Sequence, residues 1–271
     1  MKCIVCGQNK WKSKYSKLVE CKNCKFIRAK DKYFKTKSTD LYKPLYFAGD
    51  EYLDYKNEQI ALLKNFQNRL KLIRLYKKSG KLLEIGSAYG YFLSLAKKQF
   101  EAQGIDLDPF VNKLAKKISG VKVITGDFVK TKYKNASFDA VCLFDTIEHL
   151  KYPEKYIKYI NKILKKNGII VIETGDIDSL LPNFQKNRWR LITPPFHLQY
   201  FSQNTLSKLV ERYGFEVIYK TNNISFYRTV RQTIYRLNLP IFIKKLLKPI
   251  ENVVFPTHTF DLTFLIARKV K

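Results

Sequence analysis

Beyond residue 80, the chain alternates between short apolar runs and longer segments in which apolar residues recur every three or four positions. The short runs predict strands, and the longer segments predict amphipathic helices. Because alternating strands and helices pair in parallel through right-handed crossovers, this pattern predicts a doubly wound α/β fold with a mostly parallel sheet. The predicted strands cover residues 82–85, 102–106, 121–124, 138–144 and 169–173, and the first two helices cover residues 91–100 and 109–118.

Further elements flank this alternating region on both sides. Before it, apolar residues at helical spacing predict a helix over residues 55–77, which a Ser-Gly pair ends. After it, a helix over residues 202–213 leads to a strand over residues 215–220, and a last strand covers residues 262–268. We therefore expect a cysteine-rich module over residues 1–40, a helical linker over residues 41–78 and a main domain over residues 79–271. The main domain is expected to contain a helical insertion over about residues 226–256.

The charge and the composition of the chain indicate a folded, strongly basic protein, but they do not identify its partner. The chain carries 51 Lys and Arg residues against 23 Asp and Glu residues, for a formal net charge of +28 at pH 7. Such an excess attracts polyanions, among them nucleic acid, anionic lipid headgroups and phosphorylated substrates. A lysine-rich coding habit, as in AT-rich genomes or in life at high temperature, would produce the same excess. With 45% hydrophobic residues the chain can bury a sizeable core, so wholesale disorder is not expected.

No targeting or membrane-spanning segment is expected from the sequence. The first six residues are followed by polar residues and not by the apolar run of a signal peptide. The sequence also lacks an apolar stretch of about 18 residues, the length that a transmembrane helix needs. A cytoplasmic location is therefore expected.

The turn after the first predicted strand carries two glycines, Gly86 and Gly90. Glycines at such a position let the backbone turn tightly and approach a ligand, and the following helix offers its N-terminus to that ligand. A dinucleotide-binding fingerprint needs glycines at three positions that here hold Gly86, Ala88 and Tyr91. Two of the three do not match, so the sequence argues against a NAD-type site.

The same stretch resembles the first motif of class I S-adenosylmethionine (SAM) methyltransferases, acid-x-Gly-x-Gly-x-Gly. Glu84, Gly86 and Gly90 match this motif, and Ala88 replaces its middle glycine. Asp106 lies twenty positions after Gly86, at the end of the second predicted strand. An acidic side chain there can accept hydrogen bonds from both hydroxyls of a ribose.

Later motifs extend the resemblance in the same order along the chain. Asp127, after the third predicted strand, matches the acid that contacts adenine in this family. Residues 145–150 and 165–173 resemble the family's segments at the end of the fourth strand and at the turn into the fifth. Residues 197–202, 205–206 and 213–215 are similar to a subgroup typified by ubiquinone-pathway O-methyltransferases. The resemblance covers about residues 79–220 and implies SAM as the cofactor and a Rossmann-like, mostly parallel sheet of seven strands. It implies a cofactor site formed by Glu84, Gly86, Ala88, Gly90, Asp106 and Asp127.

Four of the five cysteines form two Cys-x-x-Cys pairs, Cys3 with Cys6 and Cys21 with Cys24, separated by fourteen residues. Two such knuckles can hold one zinc ion tetrahedrally, and four thiolates leave no open position for catalysis. The pattern therefore predicts a small zinc-ribbon-like module with a structural zinc ion. A disulfide pair would need an oxidising compartment, and an iron–sulfur cluster is a second alternative with the same ligands. Cys142, in a predicted core strand, is expected to serve packing.

The loop after the fourth predicted strand contains the residues expected to act on the methyl acceptor. Ligands of open α/β sheets bind outside the carboxyl ends of the strands, where Asp145, Glu148 and His149 lie. His149 is the first candidate for a general base, with an ordinary pKa of about 6.5, and His197 is the second. The resemblance to metal-assisted O-methyltransferases also permits a divalent metal ion bound by Asp145, Glu148 and His149. A structural role, such as packing beneath the loop, is the alternative for each histidine.

Two further segments bear on the acceptor and on partners. Arg188-Trp189-Arg190 combines cationic and aromatic groups that suit a phosphate-bearing or aromatic acceptor, although a solvated surface loop fits equally. Pro240 can open a helix over residues 241–248 with an apolar face and lysines opposite. Such a helix suits an anionic membrane surface, and packing on its own domain or on a dimer partner is the alternative.

These observations favour a SAM-dependent methyltransferase that acts on a small-molecule, sugar or lipid-precursor acceptor by O- or C-methylation. An RNA methyltransferase is the second hypothesis, supported by the net charge and the cysteine-rich module. Against it, no Asn-Pro-Pro-Tyr-type motif for base methylation follows the fourth predicted strand. A non-catalytic SAM-binding scaffold is the third hypothesis, and the fold alone cannot choose among them.

Overall fold

The computed structural model describes residues 1–36, 58–224, 226–236 and 240–270. Its strands in chain order are β1 (Trp11–Lys14), β2 (Leu18–Cys21), β3 (Ile27–Ala29), β4 (Gly80–Ile85), β5 (Phe100–Asp106), β6 (Lys122–Thr125), β7 (Phe138–Phe144), β8 (Leu164–Gly175), β9 (Gln199–Tyr200), β10 (Phe215–Thr221), β11 (Phe226–Thr229), β12 (Val254–Thr257) and β13 (Leu262–Lys269). Its α-helices are α1 (Gln59–Tyr76), α2 (Tyr91–Ala96), α3 (Pro109–Ser119), α4 (Pro153–Ile163), α5 (Leu180–Gln185), α6 (Gln203–Arg212), α7 (Val230–Arg236) and α8 (Ile241–Leu247).

Seven strands form one sheet in the order β10-β13-β8-β7-β4-β5-β6. The strands from β4 to β8 pair in parallel, and β13 runs antiparallel to both of its neighbours, β8 and β10. The central strands are rich in apolar residues, as strands buried on both faces of a sheet are. Their side chains contribute to two separate apolar clusters, one on each face. The predicted Rossmann-like α/β fold with a mostly parallel sheet of seven strands is confirmed.

Helix α3 shows how local chemistry fixes the ends of a helix. The Asp108 side chain caps its first turn by accepting hydrogen bonds from the backbone N–H groups of Phe110 and Val111. Pro109 stands in that first turn, where its missing N–H costs nothing. Gly120 ends the helix with a φ of +69°, in the left-handed region that favours glycine. Both ends lie within one residue of the predicted ones.

The sequence prediction contains no helix between β7 and β8, where the structure has α4. Ile157, Ile160 and Ile163 are buried from one face of this helix, and Pro153 stands in its first turn. Their three-residue spacing and the proline are the signals that indicate a helix here. The lysines and tyrosines between the isoleucines dilute the apolar pattern in this segment.

The cysteine-rich N-terminal segment forms a second sheet together with the main domain. Its strand order is β1-β2-β3-β9, and β9 comes from the segment between β8 and α6. The rings of Phe26 and Phe201 pack with their centroids 5.3 Å apart. The Arg212 guanidinium of α6 donates a hydrogen bond to the backbone oxygen of Val5 at 3.1 Å. Backbone pairing, core packing and a charged side chain therefore join this segment to the main domain.

Helix α1 packs on α2 and on β11, which forms a hairpin with β12, and one ion pair joins it to β8. Arg69 of α1 forms a buried ion pair with Glu173 of β8. Asn65 of the same helix exchanges two hydrogen bonds with the backbone of Tyr227, at 2.6 and 3.1 Å. The hairpin, α7 and α8 make up the described part of the predicted insertion.

Two predictions extend beyond the residues that the structure describes. The predicted helix over residues 55–77 is observed from Gln59, and residues 37–57 of the predicted module and linker lie outside the described ranges. Within those ranges, no helix has both the length and the apolar character that crossing a membrane requires.

Candidate functional site

The loop after β4 meets the loop after β7 at the carboxyl edge of the sheet. Gly86 has a φ of +75°, and a Cβ atom at this position would collide with Thr146 Oγ1. That hydroxyl is fixed in turn, because it donates a hydrogen bond to the backbone oxygen of Phe144 at 2.8 Å. Glycine is therefore required both for the turn itself and for the close approach of the two loops.

The second glycine of this loop brings it against α3 and β5. Gly90 also has a φ of +75°, and a Cβ atom there would lie 3.0 and 3.1 Å from the backbone O and Cα of Ala115. Between the two glycines, Ala88 has a φ of 42° and donates its N–H to Asp106 Oδ2 at 3.0 Å. The loop is therefore anchored to the carboxylate that ends β5.

Asp106 uses both carboxylate oxygens to organise this edge. Oδ2 accepts from the backbone of Ala88, and Oδ1 accepts from the backbone N–H of Asp108 at 3.2 Å. Each carboxylate oxygen has two lone pairs, so each can accept one further hydrogen bond. Burial raises the pKa of Asp106 above its ordinary value, although these two hydrogen bonds oppose the rise. A ligand with two adjacent hydroxyl donors, such as ribose, fits this arrangement.

Glu84 and Ser87 contribute buried polar atoms to the same edge. Within the described part of the chain, neither Glu84 Oε2 nor Ser87 Oγ has a hydrogen-bond partner. Because buried polar atoms are normally paired, this indicates that the two side chains face a ligand. Burial, with a contribution from the Asp106 carboxylate, raises the pKa of Glu84 well above its ordinary value. The ammonium group of SAM would pair with Glu84, so the residues present fit this cofactor.

Asp127 lies just past β6, next to Asp106 along the sheet edge. The N–H of Gly126 donates to the backbone oxygen of Asp106 at 2.9 Å, which links the two strand ends. The Asp127 side chain accepts hydrogen bonds from the Val129 N–H at 3.2 Å and the Tyr156 hydroxyl at 3.0 Å. The structure thus brings the six predicted cofactor residues to one edge of the sheet: Glu84, Gly86, Ala88, Gly90, Asp106 and Asp127.

Sequence reasoning did not single out three other residues at this edge. Leu107 directly follows Asp106 and exposes 45% of its surface, which suits contact with a flat aromatic ring. Ser87 and Thr146, described above, belong to the two loops that meet there. The position of Leu107 at the end of a buried strand could have indicated a place in the site. The contact of Thr146 with Gly86 could not be predicted, because it joins two loops that are far apart in the sequence.

The family of the chain follows from comparison with known proteins. A family model for a methyltransferase domain matches residues 54–220, which contain β4 to β8 and all six predicted cofactor residues. The chain belongs to this methyltransferase family. It is a SAM-dependent methyltransferase, in agreement with the fit of SAM to the edge of the sheet.

Relatives and solved structures agree with this assignment. An uncharacterized protein of Methanocaldococcus jannaschii is 26% identical over 218 residues, which cover 79% of this methyltransferase and 85% of that protein. Norajmaline N-methyltransferase of Rauvolfia serpentina is 28% identical over 127 residues, 42% of this chain and 44% of that enzyme. A SAM-dependent methyltransferase of Thermotoga maritima, described as a possible histamine N-methyltransferase, has a similar fold. The TM-score is 0.53 at 22% identity, over 77% of this chain and 92% of that one.

Next to the loop after β7, the methyltransferase holds two histidines in contact. The rings of His149 and His197 meet edge to face with their centroids 4.6 Å apart. His149 Nδ1 lies 3.1 Å from the backbone oxygen of Phe196, and His197 Nδ1 lies 2.8 Å from that of Leu191. Because a carbonyl oxygen can only accept, Nδ1 of His197 carries a proton, whereas His149 has two backbone acceptors, at Phe196 and Asp145, for its one N–H. Burial lowers the pKa of His149 to about 4 and that of His197 well below its ordinary value, so both rings are neutral at pH 7.

Glu148 joins the two histidines, whereas Asp145 does not. One ligand atom from each of Glu148, His149 and His197 lies within 4.8 Å of the others. The backbone oxygen of Glu148 accepts from the N–H of Leu198 at 2.8 Å, which ties this loop to the segment that carries His197. Asp145 is exposed at the end of β7 and lies outside the group. The structure therefore brings together three of the four residues predicted to act on the acceptor.

Lowering the pH from 7 to 5 is expected to destabilise the methyltransferase through His149. The unfolded chain protonates this histidine near pH 6.5, whereas the folded chain does so only near pH 4, because burial lowers the pKa. The unfolded state therefore binds more protons in this range, and the free energy of unfolding should fall by about 2 kcal/mol from this residue alone. Urea unfolding at both pH values measures the change. Between pH 7 and pH 5, the free energy of unfolding of His149→Gln should fall by about 2 kcal/mol less than that of the wild type. An equal fall in both proteins would contradict the lowered pKa of His149.

The four N-terminal cysteines form a compact cluster. Their Sγ atoms all lie within 4.8 Å of one another, and the cysteines are not joined by disulfides. The Sγ atoms of Cys3 and Cys24 are 3.5 Å apart, and those of Cys6 and Cys21 are 3.6 Å apart. Sulfur atoms on a tetrahedral zinc ion, with bonds of about 2.3 Å, lie about 3.8 Å from each other. The spacing in this structure is therefore close to that of a zinc site.

The two cysteine knuckles have the same backbone form. The residue after the second cysteine has a positive φ in each, 78° at Gly7 and 66° at Lys25. Its N–H donates to the backbone oxygen of the first cysteine, at 2.8 Å for Cys3 and 3.1 Å for Cys21. The backbone thus sets both pairs of thiols in equivalent positions.

The aromatic face suggested for an acceptor at Trp189 is not accessible. The ring is buried, and its Nε1 donates a hydrogen bond to Asp261 Oδ2 at 3.0 Å. Arg190 pairs with the same carboxylate at 3.1 Å. The interpretation of Trp189 as an aromatic surface for the acceptor is wrong, because the ring is buried against Asp261 from a distant part of the sequence, whereas Arg188 and Arg190 are exposed. Cys142 is buried in β7, where packing was expected.

Proposed function

We propose that the methyltransferase transfers the methyl group of SAM to a small-molecule, sugar or lipid-precursor acceptor, by O- or C-methylation. The main support is the group of Glu148, His149 and His197, of which Glu148 and His197 are buried and His149 is half-buried. It lies close to the cofactor loop, because Glu148 and His149 come directly after Thr146 and Ile147. Neutral imidazoles beside a buried carboxyl group suit the removal of a proton from a hydroxyl or a carbon acid. The likeness to norajmaline N-methyltransferase also supports a small-molecule acceptor.

The proposed cofactor site uses the row of residues at the ends of β4, β5 and β6. Bound SAM supplies a methyl group on a sulfonium, which is already a strong methyl donor. The protein therefore has to hold the two reactants in line and to remove a proton. In this proposal Asp106 accepts hydrogen bonds from the ribose hydroxyls, Glu84 accepts from the ammonium group, and Asp127 contacts the adenine.

His149 is the proposed general base, and His197 is the second candidate. Burial keeps both imidazoles in the neutral form that can accept a proton. The contacts of their Nδ1 atoms with the backbone oxygens of Phe196 and Leu191 fix the orientation of the rings. On His197 this leaves Nε2 as the atom that would take the proton of the acceptor.

A divalent metal ion is an alternative to the general base. The geometry favours Glu148, His149 and His197 as its ligands over the set with Asp145 that the sequence suggests. Histidines that bind a metal commonly donate their other N–H to a backbone oxygen, as His197 does here. Turnover that depends on added Mg²⁺ or Mn²⁺ would favour this alternative, and metal-independent turnover would favour the general base.

We also propose that Cys3, Cys6, Cys21 and Cys24 bind one structural zinc ion per chain. The spacing of the sulfur atoms and the repeated knuckle backbone support it. Iron in place of zinc on elemental analysis would favour the iron–sulfur alternative.

The second candidate function, RNA methylation, has support from one specific observation. The net charge of +28 suits a polyanionic substrate. We favour the small-molecule acceptor because residues 197–215 resemble the ubiquinone-pathway subgroup and no base-methylation motif follows β7. A non-catalytic SAM-binding scaffold remains the third hypothesis.

Incubation with labelled SAM and either total RNA or a metabolite extract tests the acceptor class. We expect label in the metabolite fraction, none in RNA, and little effect of salt, because few phosphates are neutralised. A reaction without protein gives the background. Stoichiometric label in one RNA species, with none among the metabolites, would favour RNA methylation. SAM binding without transfer to either fraction would favour the scaffold.

A further inference from the structure

Helix α8 of the insertion presents an apolar surface to solvent. Neither α8 nor the 3-10 turn that follows it over residues 248–250 has a buried residue. Ile241, Phe242 and Leu246 are 73%, 71% and 77% exposed. Isolated exposed apolar residues are normal on a soluble protein, whereas a group of large ones marks an interaction surface.

The exposed apolar residues form a row along the helix. Phe242, Leu246 and Ile250 are spaced by four positions, so they share one side, and all three are exposed. Ile243 and Leu247, which the sequence also suggests for this apolar face, are half-buried and so are turned away from the row. Apolar residues therefore lie on the side of α8 that faces solvent as well as on the half-buried side.

Lysines accompany this row, and acidic residues do not. Residues 240–250 contain Lys244, Lys245 and Lys248 and no Asp or Glu, and the acidic Glu251 follows at the end of the turn. Lys245 and Lys248 are exposed. A short helix with an apolar row at the surface and basic side chains beside it has the chemistry of a segment that lies in the headgroup region of an anionic bilayer.

Helix α3 offers an internal comparison. It also has three exposed lysines, Lys113, Lys116 and Lys117, but it buries Val111 and Ala115 in the core. In α3 Val111 and Ala115 face the protein, and the exposed apolar residues Phe110 and Ile118 stand near the two ends of the helix. In α8 the large apolar residues face outward together with the lysines. Both segments carry three lysines, and they differ because α3 buries part of its apolar side chains, whereas α8 and its turn bury none.

We propose that α8, with the turn at residues 248–250, docks the chain on an anionic membrane surface, with Phe242, Leu246 and Ile250 inserted among the headgroups. The lysines beside the row contact the lipid phosphates, and the net charge of +28 favours the approach to such a surface. The inference does not depend on the proposed acceptor.

Flotation of the full chain with vesicles tests this proposal. The vesicles contain phosphatidylcholine alone, or phosphatidylcholine and phosphatidylglycerol in equal parts. We expect the chain to float with the anionic vesicles and to stay unbound with the neutral ones. Added salt should weaken the binding, because the attraction of the lysines is screened.

Two variants of α8 separate the apolar from the basic contribution. The double substitution Phe242→Ser and Leu246→Ser should weaken partitioning onto anionic vesicles by at least about tenfold, since two apolar side chains no longer insert. The triple substitution Lys244→Gln, Lys245→Gln and Lys248→Gln should weaken it by roughly a hundredfold, at about fivefold for each lysine. All five side chains lie outside the buried core, so circular dichroism should be unchanged in both variants.

Matched controls carry the same changes elsewhere on the surface. Lys113→Gln, Lys116→Gln and Lys117→Gln remove three charges from α3, and Ile60→Ser with Leu75→Ser removes two exposed apolar side chains from α1. Both controls should bind anionic vesicles like the wild type.

Several results would overturn the proposal. Among them are no flotation with either vesicle, and a loss of binding in the controls equal to that in the α8 variants. Light scattering that shows a dimer, broken by the Phe242 and Leu246 substitutions without any effect on flotation, would assign the surface to a second copy. Binding to RNA that needs the α8 lysines, with no flotation, would assign it to nucleic acid.

Discussion

Replacing Cys21 with serine is expected to abolish zinc binding and to lower the stability of the chain more than the other substitutions considered for this protein. Cys21 is fully buried, and one missing thiolate leaves a three-ligand site. Structural zinc contributes roughly 10–16 kcal/mol to the folding of small zinc-finger peptides. Because the module here is also held by β9 and by the contact of Phe26 with Phe201, we expect a smaller loss, on the order of 5 kcal/mol.

The loss of stability in Cys21→Ser should extend from the cysteine-rich module to the segment that carries His197. β3 pairs with β9, and the N–H of Ala29 donates to the backbone oxygen of Leu198 at 2.9 Å. Leu198 in turn donates its N–H to Glu148. Hydrogen exchange should therefore become faster over residues 196–206 in the variant, while β4 and β5 stay protected, because their partners are unchanged.

Cys142→Ser is the matched control for this prediction. It makes the same chemical change at a buried cysteine of β7 that lies outside the cluster. Elemental analysis should find about one zinc ion per chain in the wild type and in the control, and none in Cys21→Ser. Metal-free wild-type protein, or zinc retained at full occupancy in Cys21→Ser, would contradict the assignment.

The substitution Asp106→Ala is expected to weaken SAM binding by between about a hundredfold and ten-thousandfold. Two ribose hydroxyls lose a charged acceptor, and hydrogen bonds to charged groups contribute roughly 1.5–3 kcal/mol each. The loop after β4 also loses an anchor, because Asp106 Oδ2 no longer holds the N–H of Ala88. Isothermal titration calorimetry with SAM measures the change.

Asp108→Ala is the control two positions further along. This carboxylate caps α3 through the N–H groups of Phe110 and Val111. Its loss should cost about 1 kcal/mol of stability and leave the affinity for SAM nearly unchanged. Equal affinity for SAM in the wild type and in Asp106→Ala would remove Asp106 from the proposed cofactor site.

Elements with a local signal were predictable from the sequence. The parallel strands β7 and β8 each contain a run of apolar residues, at 140–144 and 169–172, and α3 is bounded by Asp108 and Gly120. The glycine loop was predictable for the same reason, since Gly86 and Gly90 follow a strand directly. Helix α4 was missed, because lysines and tyrosines separate its three buried isoleucines.

Features that depend on residues far apart in the sequence were not predictable. Nothing in the local pattern of residues 199–200 shows that they pair with β3. The contact of His149 with His197 likewise joins two loops, and sequence reasoning grouped His149 with Asp145 because they are neighbours in the chain. Trp189 was misinterpreted since its partner, Asp261, comes from the far end of the main domain.

Methyl transfer to a small-molecule acceptor is tested most directly by mass spectrometry of metabolites and of RNA nucleosides from cells with and without this methyltransferase. We expect a low-mass metabolite to accumulate in the deletion strain, lighter by one CH₂ unit than a product that disappears, while the methylated nucleosides of RNA are unchanged. The loss of one methylated nucleoside from RNA, with an unchanged set of metabolites, would contradict it.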